Sequence, residues 1–195
     1  MKNIAIFASG AGSNAENIIK YFQEKKTANV CLVLSNNPTA LVLQKAEKLG
    51  VSTHIFDKKK FQESTEILAL LQKNKVDTLV LAGFLWLIPT TLLVAFPERV
   101  INIHPALLPK YGGKGMYGAK VHELVHQNKE TSTGITIHYA TQHYDEGAII
   151  LQVKCELNAQ DTPETIAQKV HALEYQYFPI TIENCLLQNV SKNEK

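Results

Sequence analysis

Asn102-Ile103-His104-Pro105 puts an amide and an imidazole two residues apart at the end of an apolar run. On an extended backbone alternate side chains share a face, so Asn102 and His104 project together. The amide donates hydrogen bonds without titrating, and the imidazole exchanges a proton near neutral pH. Such a pair suits the stabilisation of an oxyanion while a proton moves. Pro105 ends the strand. Tyr144-Asp145-Glu146-Gly147 offers a carboxylate just before another apolar run, Ala148-Ile149-Ile150-Leu151. Taken singly, each of the three groups is most simply a structural residue at a strand end. Their chemistry depends on a fold that brings them together.

The pattern of elements supplies such a fold. Strand signals at residues 3–8, 30–34, 53–56, 79–82 and 99–102 alternate with helix signals at 14–24, 40–49, 61–73 and 90–95. Short apolar strands alternating with helices predict an α/β class: a single Rossmann-like domain with a mostly parallel, twisted sheet covered by helices on both faces. Right-handed crossovers place the strand C-terminal ends on one rim, and ligands are expected there, where the strand order reverses. The last third adds strands at 135–140 and 149–156, then a helix opened by Asp161-Thr162-Pro163-Glu164, with Asp161 or Thr162 as cap and Pro163 in the first turn. One domain is expected over residues 1–190, followed by a frayed polar tail over 191–195.

Composition narrows the classes of function. The 195 residues are 45% hydrophobic and 19% charged, ordinary for a globular enzyme and too apolar for disorder. With 20 basic and 18 acidic residues the net charge of +2 gives no global attraction to nucleic acid, and Lys58-Lys59-Lys60 reads as solvated surface. Cys31, Cys155 and Cys185 are odd in number and scattered, against a disulfide framework or a zinc ribbon, and fit a reducing cytoplasm. The stretch from Asp77 to Glu98 carries no charge between its ends, but Gly83 and Pro89 divide it into a buried strand, a loop and a short helix rather than a membrane span.

Four further segments carry chemical possibilities. Ser9-Gly10-Ala11-Gly12-Ser13-Asn14 joins the first strand to the first helix, where glycines and free N–H groups can receive a phosphate. It departs from the dinucleotide fingerprint, and the second strand ends in Ser35-Asn36-Asn37 without an acidic residue. His122-Glu123-Leu124-Val125-His126 matches the H-E-x-x-H of zinc hydrolases, though no third ligand follows at the metzincin spacing. Gly83-Phe84-Leu85-Trp86-Leu87-Ile88 follows a buried strand and could hold a flat heteroaromatic ligand against apolar groups and backbone amides, with core packing the plain alternative for Leu85 and Leu87. Residues 110–119 contain Gly112, Gly113, Gly115 and Gly118, so that loop is either a mobile cover for substrate or a flexible surface insertion.

Taken in order, residues 9–14, Leu81-Ala82-Gly83-Phe84, 102–109, 144–152 and the run from Glu174 to Pro179 resemble the folate-dependent glycinamide ribonucleotide formyltransferases over nearly the whole chain. The resemblance implies the formyltransferase fold, with 10-formyltetrahydrofolate as formyl-donor cosubstrate and no metal. It implies catalytic roles for Asn102, His104 and Asp145, and substrate contacts from Gly12, Ser13, Asn14 and Glu174. Folate contacts fall on Phe84, Leu85, Trp86, Leu87, Ile88, Asn102, His138, Tyr144 and Asp145, with Thr136 matching a small hydroxyl nearby. Relatives commonly carry Met-Arg where Leu85-Trp86 stands, and the glycine-rich loop is longer than theirs by about five residues.

On this likeness a formyl group passes to the primary amine of glycinamide ribonucleotide. His104, kept protonated by Asp145, and the Asn102 amide would stabilise the oxyanion while Asp145, through a water, moves the amine proton. The expected partners are small molecules, without nucleic acid or membrane, in a monomer or weak homodimer. The alternatives are a methionyl-tRNA formyltransferase, which normally adds an RNA-binding domain, and a formyltetrahydrofolate hydrolase, which usually adds an N-terminal regulatory domain. From other classes stand a zinc hydrolase using His122, Glu123 and His126, and a non-catalytic phosphate-ligand module.

Overall fold

The computed structural model describes residues 1–192, and the polar tail expected over 191–195 falls mostly outside them. Seven strands form one sheet: β1 (Lys2–Phe7), β2 (Ala28–Ser35), β3 (Ser52–Ile55), β4 (Thr78–Leu81), β5 (Val100–His104), β6 (Ser132–Tyr139) and β7 (Ile149–Glu156). Their order is β3-β2-β1-β4-β5-β6-β7. The first five run parallel, whereas β5, β6 and β7 pair antiparallel. The chain therefore builds outward from β1 to β3, then returns to the other side of β1 with β4. The reversal leaves a crevice beyond the ends of β1 and β4.

Alternation along β1 divides the core. Ile4, Ile6 and Ala8 face one layer, with α1 (Ser13–Lys25), α2 (Leu41–Lys48), α6 (Ala119–Gln127) and α7 (Pro163–Lys192). Ala5 and Phe7 face the other, with α3 (Lys58–Glu63), α4 (Thr65–Lys73) and α5 (Thr90–Ala95). The expected helix over 61–73 is thus two helices. Ser64 takes a left-handed φ of 58° between them, its hydroxyl donating to the Phe61 carbonyl, while Asp57 caps α3 by accepting from the Lys60 amide. The exposed lysines 58–60 form the first turn of α3.

Helix α7 spans 30 residues and contains Pro179. A proline there cannot donate to the carbonyl four residues back, that of Tyr175. The Asn17 side chain of α1 supplies the missing donor at 2.9 Å. One turn earlier, Asn14 Nδ2 donates to Glu174 Oε2 at 2.9 Å. The helix irregularity is thereby converted into a fixed seam between α1 and α7.

Candidate active site

The crevice opens into a cleft of about 650 Å³ lined from the β1 and β4 loops, the end of β5, the glycine-rich loop, β6 and the 141–145 turn. Asn102, His104 and Asp145 all reach it. The β5–β6 ladder sets the first positions, pairing Asn102 with His138 and His104 with Thr136, with the Ile103–Ile137 rung between them. His138 Nδ1 donates to the Tyr139 carbonyl (2.9 Å), and Asn102 Nδ2 lies 3.0 Å from His138 Nε2. The second N–H of that amide remains for a ligand.

His104 is 4% exposed, and its Nε2–H donates to the Tyr111 carbonyl at 2.7 Å. That bond leaves Nδ1, which stands 3.5 Å from Asp145 Oδ2, as the titrating nitrogen. Burial pulls the His104 pKa below its ordinary value, and the opposing effects of Asp145 and the Tyr111 carbonyl do not restore it. Burial, the largest of these effects, thus opposes the expectation that Asp145 keeps this ring protonated.

Asp145 has a left-handed φ of 59°, which aims its carboxylate back into the cleft. Gly147 makes the turn possible, because a Cβ there would lie 1.6 Å from the Tyr139 carbonyl oxygen. Burial acts to raise the Asp145 pKa, but His138 (Nε2 at 3.6 Å from Oδ1), His104 and the Gly113 amide together hold it below the usual carboxylate value. Thr136 is not part of the site. It is fully buried, donating to the Ala106 carbonyl and accepting from the Leu108 amide, and so braces the chain after Pro105.

At one end of the cleft Gly12 caps α1 at φ 69°, and no side chain occupies the helix N-terminus. Ser13, Asn14 and Glu174 line the same end. Glu174 is 6% exposed, and burial raises its pKa against the lowering effects of Asn14 and His171. At the other end residues 84–88 alternate. Phe84 and Trp86 turn into the aromatic cluster with Phe7, Phe56 and Phe61, whereas Leu85 and Leu87 are exposed at 42% and 38%. Core packing thus belongs to the aromatic residues and Ile88, and the two leucines form the apolar surface of the cleft. The Leu85 amide is already committed to Ser9 Oγ at 3.1 Å, which removes it from ligand recognition and ties the β1 and β4 loops together. Tyr144 and His138 also line the cleft.

Sequence reasoning missed Tyr111, Gly113 and His171. The first two act through backbone atoms, whose targets no residue type reveals; His171 lay three positions before Glu174, on the same helix face. In the H-E-x-x-H segment His122 is buried while Glu123 and His126 are exposed. Among the described residues, no three His, Cys, Asp or Glu side chains form a group able to hold a metal ion.

A doubly wound sheet whose switch-point cleft carries an amide, a buried imidazole and a carboxylate between an anion-receptive helix end and an apolar strip defines a group-transfer enzyme of α/β type. Residues 2–182 match the family described as Formyl transferase, and the chain belongs to that family. It is 36% identical over 200 residues to phosphoribosylglycinamide formyltransferase of Bacillus subtilis, covering all of both chains. It is 38% identical over 183 residues to the chloroplastic phosphoribosylglycinamide formyltransferase of Arabidopsis thaliana, covering 91% of this chain and 63% of the plant protein, so it spans less than two thirds of that relative's length. The crystal structure of phosphoribosylglycinamide formyltransferase from Bacillus halodurans is similar at a TM-score of 0.85 and 34% identity over 95% of each chain. Among the described residues no helix is long and apolar enough to cross a membrane.

Proposed function

We propose that the chain transfers the formyl group of 10-formyltetrahydrofolate to the primary amine of glycinamide ribonucleotide, a step of purine synthesis. The carrying observation is the convergence of Asn102, His104 and Asp145 in the one cleft that the N-terminus of α1 and the exposed Leu85 and Leu87 also line. The helix end, with Gly12, Ser13 and Asn14, suits the phosphate, and the buried Glu174 carboxylate suits the sugar. The leucines, Ile88, Tyr144 and His138 suit a flat pterin.

The residues then act in sequence. The free N–H of Asn102 donates to the formyl oxygen as attack by the amine gives it negative charge. His104 Nδ1, neutral at rest, accepts the proton that the attacking nitrogen sheds, by way of Asp145 and a water. The imidazolium so formed, paired with Asp145, adds positive charge beside the oxyanion. When the carbon–nitrogen bond to the folate breaks, the same proton is returned to the departing nitrogen. Neither a metal nor a covalent enzyme intermediate enters this scheme.

We further assign the chain to the cytoplasm, as a monomer or weak homodimer acting on small molecules with residues 1–190 as one domain. Its three cysteines are free. The deciding assay offers glycinamide ribonucleotide, water and charged initiator tRNA together as formyl acceptors. Formylation of the ribonucleotide should dominate; preference for water or tRNA would replace this reading with that of a hydrolase or a tRNA formyltransferase.

A further inference from the structure

His122, the residue that sequence alone set in a zinc-hydrolase pattern, lines the cleft with 3% exposure. Its Nδ1 is buried without a partner, and among the described residues no protein group hydrogen-bonds the ring. Its aromatic neighbour is His171, edge-on at 6.3 Å. A polar ring desolvated this far without a partner is costly unless a ligand completes it.

Two other groups at this end are in a similar condition. Asn14 Oδ1 is buried and unpartnered, and because Asn14 Nδ2 is committed to Glu174, that oxygen can only accept. Glu174 is a buried carboxylate that also seeks donors. A phosphate offers only acceptor oxygens near neutral pH, so it can satisfy neither. Hydroxyl groups donate and accept. A neutral imidazole, with one donor and one acceptor nitrogen, is matched to them in the same way.

Position narrows the choice. His122 lines the same cleft as His104 and Glu174, and its ring packs against His171, one turn before Glu174 on α7. The ligand segment there is the one joining the amine to the phosphate. Resting on the reading of glycinamide ribonucleotide as acceptor, we propose that His122 is a substrate-positioning residue that hydrogen-bonds a ribose hydroxyl, sharing the sugar with Asn14 and Glu174.

The test is steady-state kinetics on wild type and His122→Phe with glycinamide ribonucleotide and its 2′-deoxy and 3′-deoxy analogues. His122→Phe should raise KM for the ribonucleotide by roughly tenfold, with the formyl-donor KM little changed. The penalty should vanish for the analogue that lacks the contacted hydroxyl. An unchanged ribonucleotide KM in folded variant, or an equal penalty on all three acceptors, overturns the proposal. If His122→Phe does not fold, the smaller His122→Asn is read in its place: a KM penalty confined to acceptors that keep one particular hydroxyl supports the contact, and no penalty, or an equal one on all three, removes it. Failure of the functional reading is separate, since wild type would then formylate none of them. Calorimetry of wild type and the folded His122 variant with ribose 5-phosphate, 2-deoxyribose 5-phosphate and 3-deoxyribose 5-phosphate would still read the contact, a loss of affinity in the variant confined to sugars that keep one hydroxyl supporting it and an equal loss, or none, overturning it.

Discussion

The backbone amide of Gly113 donates to Asp145 Oδ2 at 2.9 Å, so the glycine-rich loop holds the carboxylate of the candidate site. Two residues earlier in the same loop, the Tyr111 carbonyl fixes the His104 ring. A segment that reads in the sequence as a cover or an insertion orients two of the three reacting groups. Gly113→Pro removes the donor and should lower kcat by more than it alters either KM. Unchanged turnover in folded variant would show that Asp145 keeps its position unaided.

Asn102→Ala removes an oxyanion donor, and His104→Ala removes the proton carrier. Each should lower kcat by about 10²–10³, with smaller effects on KM, because the contacts strengthen only as charge develops. Near-normal turnover in either folded variant would defeat the assignment of the site.

The phosphate end tests differently. Gly12→Val would put a Cβ 2.4 Å from Val42 side-chain atoms at a φ of 69°. It should therefore cost stability, on the order of 1–2 kcal/mol from the left-handed backbone alone, besides weakening ribonucleotide binding. Calorimetry at a temperature where the variant is folded should find folate binding retained. Equal loss of both affinities would point to collapse of the fold rather than of the phosphate contact.

Burial, followed by the charges of His171 and His104, holds the pKa of His122 at about 4, against 6.5 for an exposed histidine. Above pH 6.5 both folded and unfolded states leave this ring neutral. As pH falls from 6.5 towards about 4 the unfolded chain takes up a proton that the folded state refuses, so stability declines through that window. At about 1.4 kcal/mol per unit the loss is on the order of 3 kcal/mol, and the lowered pKa of His104 acts in the same direction. Melting temperatures at pH 7 and pH 5 should separate more widely for wild type than for His122→Phe. Parallel pH dependence in the two proteins would contradict this account.

Glu123 is exposed and takes no part in the scheme. Glu123→Gln should leave formyl transfer unchanged, and activity should survive prolonged treatment with a chelator. Loss of activity in both experiments would restore the zinc reading.

The parallel sheet and its switch-point cleft were legible because apolar strands and helical periods alternate cleanly through residues 3–102. Asn102, His104 and Asp145 could be nominated because residue type and strand position suggest their chemistry, and the structure brings them into one cleft. The break at Ser64 was not, since it rests on a serine adopting a left-handed backbone within a continuous helical pattern. Nor was the division of residues 84–88: all five are apolar, and which of them meet the aromatic cluster depends on Phe56 and Phe61, distant in sequence. The lowering of the His104 pKa also escaped, because a neighbouring carboxylate can be named from sequence while the depth of burial opposing it cannot.

The bond from Asn14 to Glu174 spans 160 positions of the chain. During synthesis the apolar half of the cleft, with Asn102, His104 and Asp145, has all its residues once position 145 has emerged, whereas the sugar end waits for helix α7. A chain halted between those points would carry the reacting groups with no seat for the acceptor. The seam between α1 and α7 therefore closes only after nearly the whole chain has been made, and on the proposed reading the acceptor's seat is the last part of the cleft to be completed.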